Sequence, residues 1–125
     1  MSKVCIVGAT GAVGREFIAG LKELGFPVTS LKLLATERSA GKTIETPYGD
    51  LLVEVAKPSS FDGMDFAFFS AGAAASKELA PEAARRGCVA VDNSSAWRMD
   101  PGVPLVVPEV NMEAARSHKG IIANP

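Results

Sequence analysis

Three glycines at three-residue intervals, Gly8, Gly11 and Gly14, constrain this 125-residue chain more tightly than any other feature. The apolar run Lys3–Val7 leads into them. They open a segment, Gly11–Leu24, in which Val13, Phe17, Ile18, Leu21 and Leu24 recur at helical spacing. A strand that turns directly into a helix brings backbone against backbone, so side chains must be missing where the two cross. Gly8 suits the tight turn out of the strand, Gly11 keeps the loop open to close approach, and Gly14 lets the helix pack on the sheet. Gly25 is placed to end the helix, and Ser30–Ala35 reads as the second strand.

The alternation continues along the chain. Thr36–Lys42 is a polar loop. Thr43–Thr46 and Leu51–Val55, joined across Pro47-Tyr48-Gly49-Asp50, read as a hairpin or as two edge strands. Asp65–Ser70 is nearly all apolar, the mark of a strand covered on both faces. Ala73–Arg86 has helical composition, and Pro81 within it predicts a kink, or a break with the proline opening a new turn. Gly87 stops that helix. Val89–Asp92 and Ile121–Ala123 complete the strands, and Met112–His118 is a short helix capped by Asn111. Together these elements predict an α/β fold: a doubly wound, mostly parallel Rossmann-type sheet with helices on both faces and right-handed crossovers. Residues 1–125 fit a single dinucleotide-binding domain in size. The segment Ile121–Pro125 reads as a buried strand running into an Asn-Pro turn without a polar tail, so a fragment of a longer protein is expected.

Bulk properties narrow the function classes. A net charge of −1 offers no basic surface to a nucleic acid. The longest apolar runs, Phe66–Phe69 and Val103–Val107, fall far short of the ~20 residues of a bilayer span. Met1-Ser2-Lys3 leads into a strand rather than a secretory signal. A cytoplasmic protein is expected, with a small-molecule substrate and neither nucleic acid nor membrane as partner. Cys5 and Cys88 lie in apolar segments and read as small buried hydrophobes of a reducing compartment. With His118 as the sole histidine, no metal site is expected.

The helix opened by Gly11 would present unpaired N–H groups and about half a positive charge at its N-terminus, which suits a pyrophosphate. Gly8, Thr10, Gly11, Ala12, Val13 and Gly14 are the candidate residues, Thr10 adding a hydroxyl donor. The loop after the second strand selects the cofactor. A carboxylate there suits the ribose 2′-hydroxyl of NAD, and an arginine suits the 2′-phosphate of NADP. Thr36-Glu37-Arg38-Ser39 offers both. Arg38, supported by Ser39 and Lys42, favours NADP through a charge-assisted contact. Glu37 beside it leaves room for NAD as well.

The order and spacing of Gly8–Gly14, Arg38-Ser39-Ala40-Gly41-Lys42, Ser70-Ala71-Gly72, Val91-Asp92-Asn93-Ser94-Ser95, Trp97-Arg98, Val107-Pro108-Glu109-Val110-Asn111 and Ala123-Asn124-Pro125 resemble the aspartate-β-semialdehyde dehydrogenase family. The resemblance covers the whole chain, and its Asp-Asn-Ser-Ser-x-x-Arg and Pro-Glu-Val-Asn segments are more specific than the glycine turn. It implies an oxidoreductase that takes L-aspartyl-4-phosphate and NADPH to aspartate semialdehyde, NADP⁺ and inorganic phosphate. The product would serve lysine, methionine, threonine and diaminopimelate biosynthesis. It also implies a cysteine nucleophile that forms an acyl-thioester just after an Asn-Pro-Asn sequence, and a proton-handling histidine in a second domain. Cys5, Cys88 and His118 do not match those positions, so no catalytic residue is assigned here and these residues alone are expected to be inactive.

By the same resemblance, Thr10, Gly11, Ala12 and Val13 would hold the pyrophosphate, and Arg38 and Ser39 the 2′-phosphate. Ser70, Ala71 and Gly72 would line the cofactor cleft. Arg98 matches the arginine that binds the substrate phosphate, and Asn93 stands near it in the motif. The full-length protein would be a homodimer built largely through its second domain. The chemistry of the residues agrees, because a planar guanidinium suits a dianionic leaving group and Asn93 can donate beside it. Surface pairing of Arg98 with Asp100 is the plainer alternative, and Glu109 and Asn111 would order a loop.

Three rivals remain. N-acetyl-γ-glutamyl-phosphate reductase performs the same type of reaction on another acyl phosphate. Extended short-chain dehydrogenases share the glycine spacing but use a Tyr-x-x-x-Lys pair, whereas Tyr48 has Leu52 four residues on. A non-catalytic dinucleotide-binding module is the third.

Overall fold

The structure, a computed structural model, describes residues 2–105, 118 and 120–123. Strand β1 (Ser2–Val7) runs into helix α1 (Ala12–Glu23), and β2 (Val28–Ala35) returns parallel to β1 with Val7 beside Leu34. Strands β3 (Thr43–Thr46) and β4 (Gly49–Val55) form an antiparallel hairpin whose second strand also pairs parallel with β2. The hairpin reading therefore holds for both strands, and the edge reading for β3 alone. A 3₁₀ turn at Pro58–Phe61 leads to β5 (Phe66–Phe69), α2 (Ala73–Arg85), β6 (Val89–Asp92) and β7 (Ile121–Ala123). The sheet order is β3-β4-β2-β1-β5-β6-β7, and among the described pairings only β3–β4 is antiparallel. This is the doubly wound, mostly parallel α/β sheet expected from the sequence.

Successive strand residues point to opposite faces, and the two faces are covered by different helices. Val4 and Ile6 of β1 join Ile18 and Leu21 of α1, with Leu33 and Val53 beneath them. Cys5 and Val7 join Leu79, Ala80 and Ala83 of α2 on the other side. Phe61 and Phe69 are completely buried there and stack with ring centroids 5.8 Å apart. Each such ring contributes roughly 1.5–3 kcal/mol through burial. The expected stripe on α1 is only partly covered: Ile18 and Leu21 are buried, whereas Val13 and Leu24 are exposed.

Helices α1 and α2 end in the same way. Gly25 takes φ 68° and Gly87 φ 79°. The amide of Phe26 donates to Leu21 O at 2.9 Å, and that of Cys88 donates to Ala83 O at 3.0 Å. These are Schellman closures, which need a left-handed residue and therefore favour glycine.

Pro81 gives neither a break nor a new helix; α2 runs through it as one element. The lost hydrogen bond falls on the carbonyl of exposed Lys77, where water can replace it. Leu79, Ala80 and Ala83 on either side of the proline are fixed against the sheet. Packing here outweighs the ~3 kcal/mol that an interior proline costs. The expected helix Met112–His118, with Glu109 and Asn111, lies outside the described residues apart from His118.

Candidate functional site

In an open α/β sheet, ligands bind outside the carboxyl ends of the strands, where the strand order reverses. Here that point lies between β1 and β5, since β1 continues to β2 on one side and β5 to β6 on the other. The segments leaving β1 and β5 meet across it. The Ser70 amide donates to Val7 O at 2.8 Å, and Ser70 Oγ donates to the same carbonyl at 3.3 Å.

The three glycines are not equivalent. Gly8 has φ 92°, and a Cβ on it would stand 2.8 Å from the carbonyl carbon of Ser70. A Cβ on Gly14 would fall 2.3 Å from Gly8 O, inside any tolerable contact. Internal packing thus requires both. At Gly11 the nearest heavy atom to a Cβ would be Gly8 O at 3.6 Å, an ordinary contact, and φ of −79° suits any residue. The fold does not need a glycine there. The empty space beside Gly11 opens instead onto a cleft of about 210 Å³.

Gly8, Thr10 and Gly11 form one side of this cleft, Ser70 and Ala71 another, and Ala35, Thr36 and Ser39 the third. Gly11 caps α1 without any side-chain acceptor. Helix geometry leaves the first-turn amides of Ala12, Val13 and Gly14 without intrahelical partners. Ala12 and Val13 are exposed on that turn, and Gly14 is buried under it. Ser39 is brought back to the cleft by a turn in which its amide donates to Thr36 O at 3.0 Å. Arg38 is exposed on the same turn, next to the cleft lining rather than in it. Gly72, with φ 96°, caps α2 just beyond Ala71. Ala35 and Thr36 were not singled out from the sequence. Their position at the end of the strand beside the glycine turn was the available signal.

A second locus follows β6. Arg98 is half-buried, and its Nη2 donates to the Asn93 carbonyl at a long 3.5 Å. Its Nε is buried with no hydrogen-bond acceptor among the described residues. The surface pair with Asp100 does not form; Asp100 Oδ1 instead accepts from the Gly102 amide at 2.8 Å. Asn93 meets Arg98 through its backbone carbonyl. It also lines a separate, largely apolar cavity of about 460 Å³ beside Val13, Phe17, Leu24 and Phe68. Asp92, which sequence reasoning left aside, is a completely buried carboxyl that accepts from the Ser94 amide at 3.1 Å and from Ser94 Oγ at 2.7 Å.

Cys5 and Cys88 are both buried in the core. A hydrogen bond with Cys88, reinforced by burial, pushes the Cys5 thiol well above its ordinary range. A thiol so placed is a poor nucleophile. Among the described residues, no group of three His, Cys, Asp or Glu side chains could hold a metal ion, and no helix is long and apolar enough to cross a membrane.

A glycine turn at the reversal point, an uncapped helix N-terminus and a cleft reaching the end of β2 together define a dinucleotide-binding α/β domain. The family described as semialdehyde dehydrogenase, NAD binding domain, matches residues 3–118, and the chain belongs to it. Its cofactor class is a nicotinamide dinucleotide. The chain is 56% identical over 126 residues to the aspartate-semialdehyde dehydrogenase of Aquifex aeolicus, a match covering 98% of this chain and 37% of that one. It superposes with TM-score 0.94 and 45% identity on aspartate semialdehyde dehydrogenase II of Vibrio cholerae complexed with ASA, covering all of this chain and 42% of that one. A structure of the Candida albicans enzyme with NADP matches at TM-score 0.74 and 28% identity, over 99% of this chain and 42% of that one. The chain thus spans little more than a third of the length of the curated relatives it matches.

Proposed function

We propose that these residues are the NADP-binding portion of an aspartate-semialdehyde dehydrogenase of the cytoplasm, dimeric when full length. The whole protein would reduce L-aspartyl-4-phosphate to aspartate semialdehyde with release of inorganic phosphate. Its thiol nucleophile would directly follow an Asn-Pro-Asn sequence, and its proton-handling histidine would belong to a second domain. The observation that carries the reading is the cleft beside Gly11, where a glycine that packing does not require faces Ser70 and Ala71 across the reversal point.

The residues present fit a dinucleotide. The amides of Ala12, Val13 and Gly14 would hold the pyrophosphate at the positive end of α1, with Thr10 donating through its hydroxyl. Gly8 and Gly14 let the turn and the helix come close enough for this. Ser70, Ala71 and Gly72 would form the opposite wall, from strand end to the start of α2. Arg38 and Ser39 would grip the 2′-phosphate, a contact in which arginine's planar fork outperforms a point charge. When bound, the reduced nicotinamide supplies the hydride that turns an acyl group into an aldehyde. Arg98 would hold the phosphate of the acyl phosphate: its buried Nε lacks an acceptor, and no carboxylate among the described residues pairs with it. Asn93 would border that site through its carbonyl contact with Arg98.

Calorimetric titration of the chain with NADP⁺ and with NAD⁺ tests the cofactor reading. NADP⁺ should bind more tightly, and Arg38→Glu should reverse the order. Losing the 2′-phosphate contact should weaken NADP⁺ about tenfold or more, the worth of one charge-assisted bond. Equal affinity of the variant for NADP⁺ would remove Arg38 from the site, and binding of neither dinucleotide by the folded chain would overturn the cofactor reading.

A further inference from the structure

Among the described residues, Asp92 is the largest polar side chain completely withdrawn from solvent. Burying a carboxyl is costly unless its oxygens are satisfied. Among the described residues, both of its acceptor contacts come from one residue, two positions on: the amide and the hydroxyl of Ser94. Ser94 Oγ in turn accepts from the amide of Ala96 at 3.1 Å. Two side-chain turns in succession therefore carry the chain from the end of β6 to Trp97 and Arg98.

The far end of this segment is also anchored. Trp97 Nε1 donates to Ser76 Oγ at 3.0 Å, and Ser76 is completely buried on α2. Lys77 Nζ lies 5.2 Å from the Trp97 ring centre. The near end is tied to the sheet by the Asn93 amide, which donates to Phe69 O at 2.9 Å. Just beyond Trp97, Arg98 has the long bond to Asn93 O, and its buried Nε has no acceptor among the described residues. The turn presents a guanidinium whose donors are left for something else. The Asp92–Ser94–Ala96 chain of hydrogen bonds lies in the segment that leads to it.

We propose that Asp92 and Ser94 are positioning residues that aim Arg98 at the phosphate of the substrate. The assignment rests on Arg98 as the phosphate anchor and adds what holds it in register. Ser94 is the hinge of the pair, because its hydroxyl is both a donor to Asp92 and an acceptor for Ala96.

The test follows the backbone amide resonances of residues 93–98 in the isotopically labelled chain as inorganic phosphate is added. NADP⁺ affinity and thermal melting are read on the same samples. Ser94→Ala should weaken phosphate about tenfold, the scale of a misdirected charge-assisted bond, and Ser94→Thr should restore it. Both should keep the wild-type NADP⁺ affinity and a cooperative melt. Arg98→Ala distinguishes the phosphate anchor from the residues that position it. If that variant binds phosphate as the wild type does, Arg98 is not the anchor. If it loses phosphate while Ser94→Ala does not, the anchor stands and the positioning role falls. A Ser94→Ala chain that loses phosphate and NADP⁺ together, with a depressed melt, would make the hydroxyl a support of the fold instead.

Discussion

Gly8, Gly11 and Gly14 occupy one heptapeptide and look interchangeable as letters, yet a methyl group on each would meet different surroundings. On Gly14 it would overlap Gly8 O at 2.3 Å, and on Gly11 it would touch nothing closer than 3.6 Å. Gly14→Ala should therefore cost stability, about 1–3 kcal/mol as for other overpacked sites, seen as a lower urea midpoint. Gly11→Val should leave that midpoint near the wild-type value and abolish dinucleotide binding, because its branched side chain would project into the cleft. Retained NADP⁺ affinity in Gly11→Val, measured by calorimetry, would show that the cleft is not the pyrophosphate seat. At this scale the sequence was informative where chemistry is local. The glycine turn and an arginine after β2 could be read from spacing, and the Asp-Asn-Ser-Ser-x-x-Arg motif from its resemblance to a known family. Asp92 could not, because its importance comes from complete burial and spacing says nothing of that. The Asp-x-Ser pattern was the one available hint, since aspartate so placed closes a turn on the residue two ahead.

Among the elements, α1 and α2 show how a glycine's position decides the sign of its contribution. Gly87 sits at φ 79° in the closure of α2, where an L-residue is strained. Gly20 lies inside α1 with open space where its Cβ would be. Gly87→Ala should destabilise by about 1–2 kcal/mol, whereas Gly20→Ala should stabilise by about 0.5–1 kcal/mol. Opposite shifts in chemical denaturation would establish the difference; shifts of the same sign would contradict the assigned caps. Both helix ends were legible because Gly25 and Gly87 stand just past the apolar periodicity. The course of α2 through Pro81 was not. Local rules place the cost of a proline in its own helix, and what offsets that cost, the packing of Leu79, Ala80 and Ala83 on the sheet, is tertiary. The exposure of Val13 and Leu24 has the same origin, since periodicity marks a stripe but not how much of it a neighbour covers.

For the whole molecule, the position of the cleft matters more than its size. It lies on the seam between the half of the sheet built by β1, β2 and the hairpin and the half built by β5, β6 and β7. The β1–β5 pairing and the bonds from Ser70 to Val7 O cross that seam at the carboxyl ends. A dinucleotide held by Thr10 and α1 on one side and by Ser70 and Ala71 on the other would tie the halves together in the folded state alone. A ligand that binds only the folded form adds about 2.7 kcal/mol at a hundred times its dissociation constant. For a chain of this length, that raises the melting temperature by about 10 °C. NADP⁺ should produce this shift in a single cooperative transition, and NAD⁺ at the same concentration should give a smaller one. Gly11→Val should melt where the ligand-free wild type does and remain there when NADP⁺ is added. An undiminished NADP⁺ shift in that variant would mean the dinucleotide stabilises the chain from some other surface. Two separate transitions, only one of them moved by ligand, would mean that the bound dinucleotide does not join the halves.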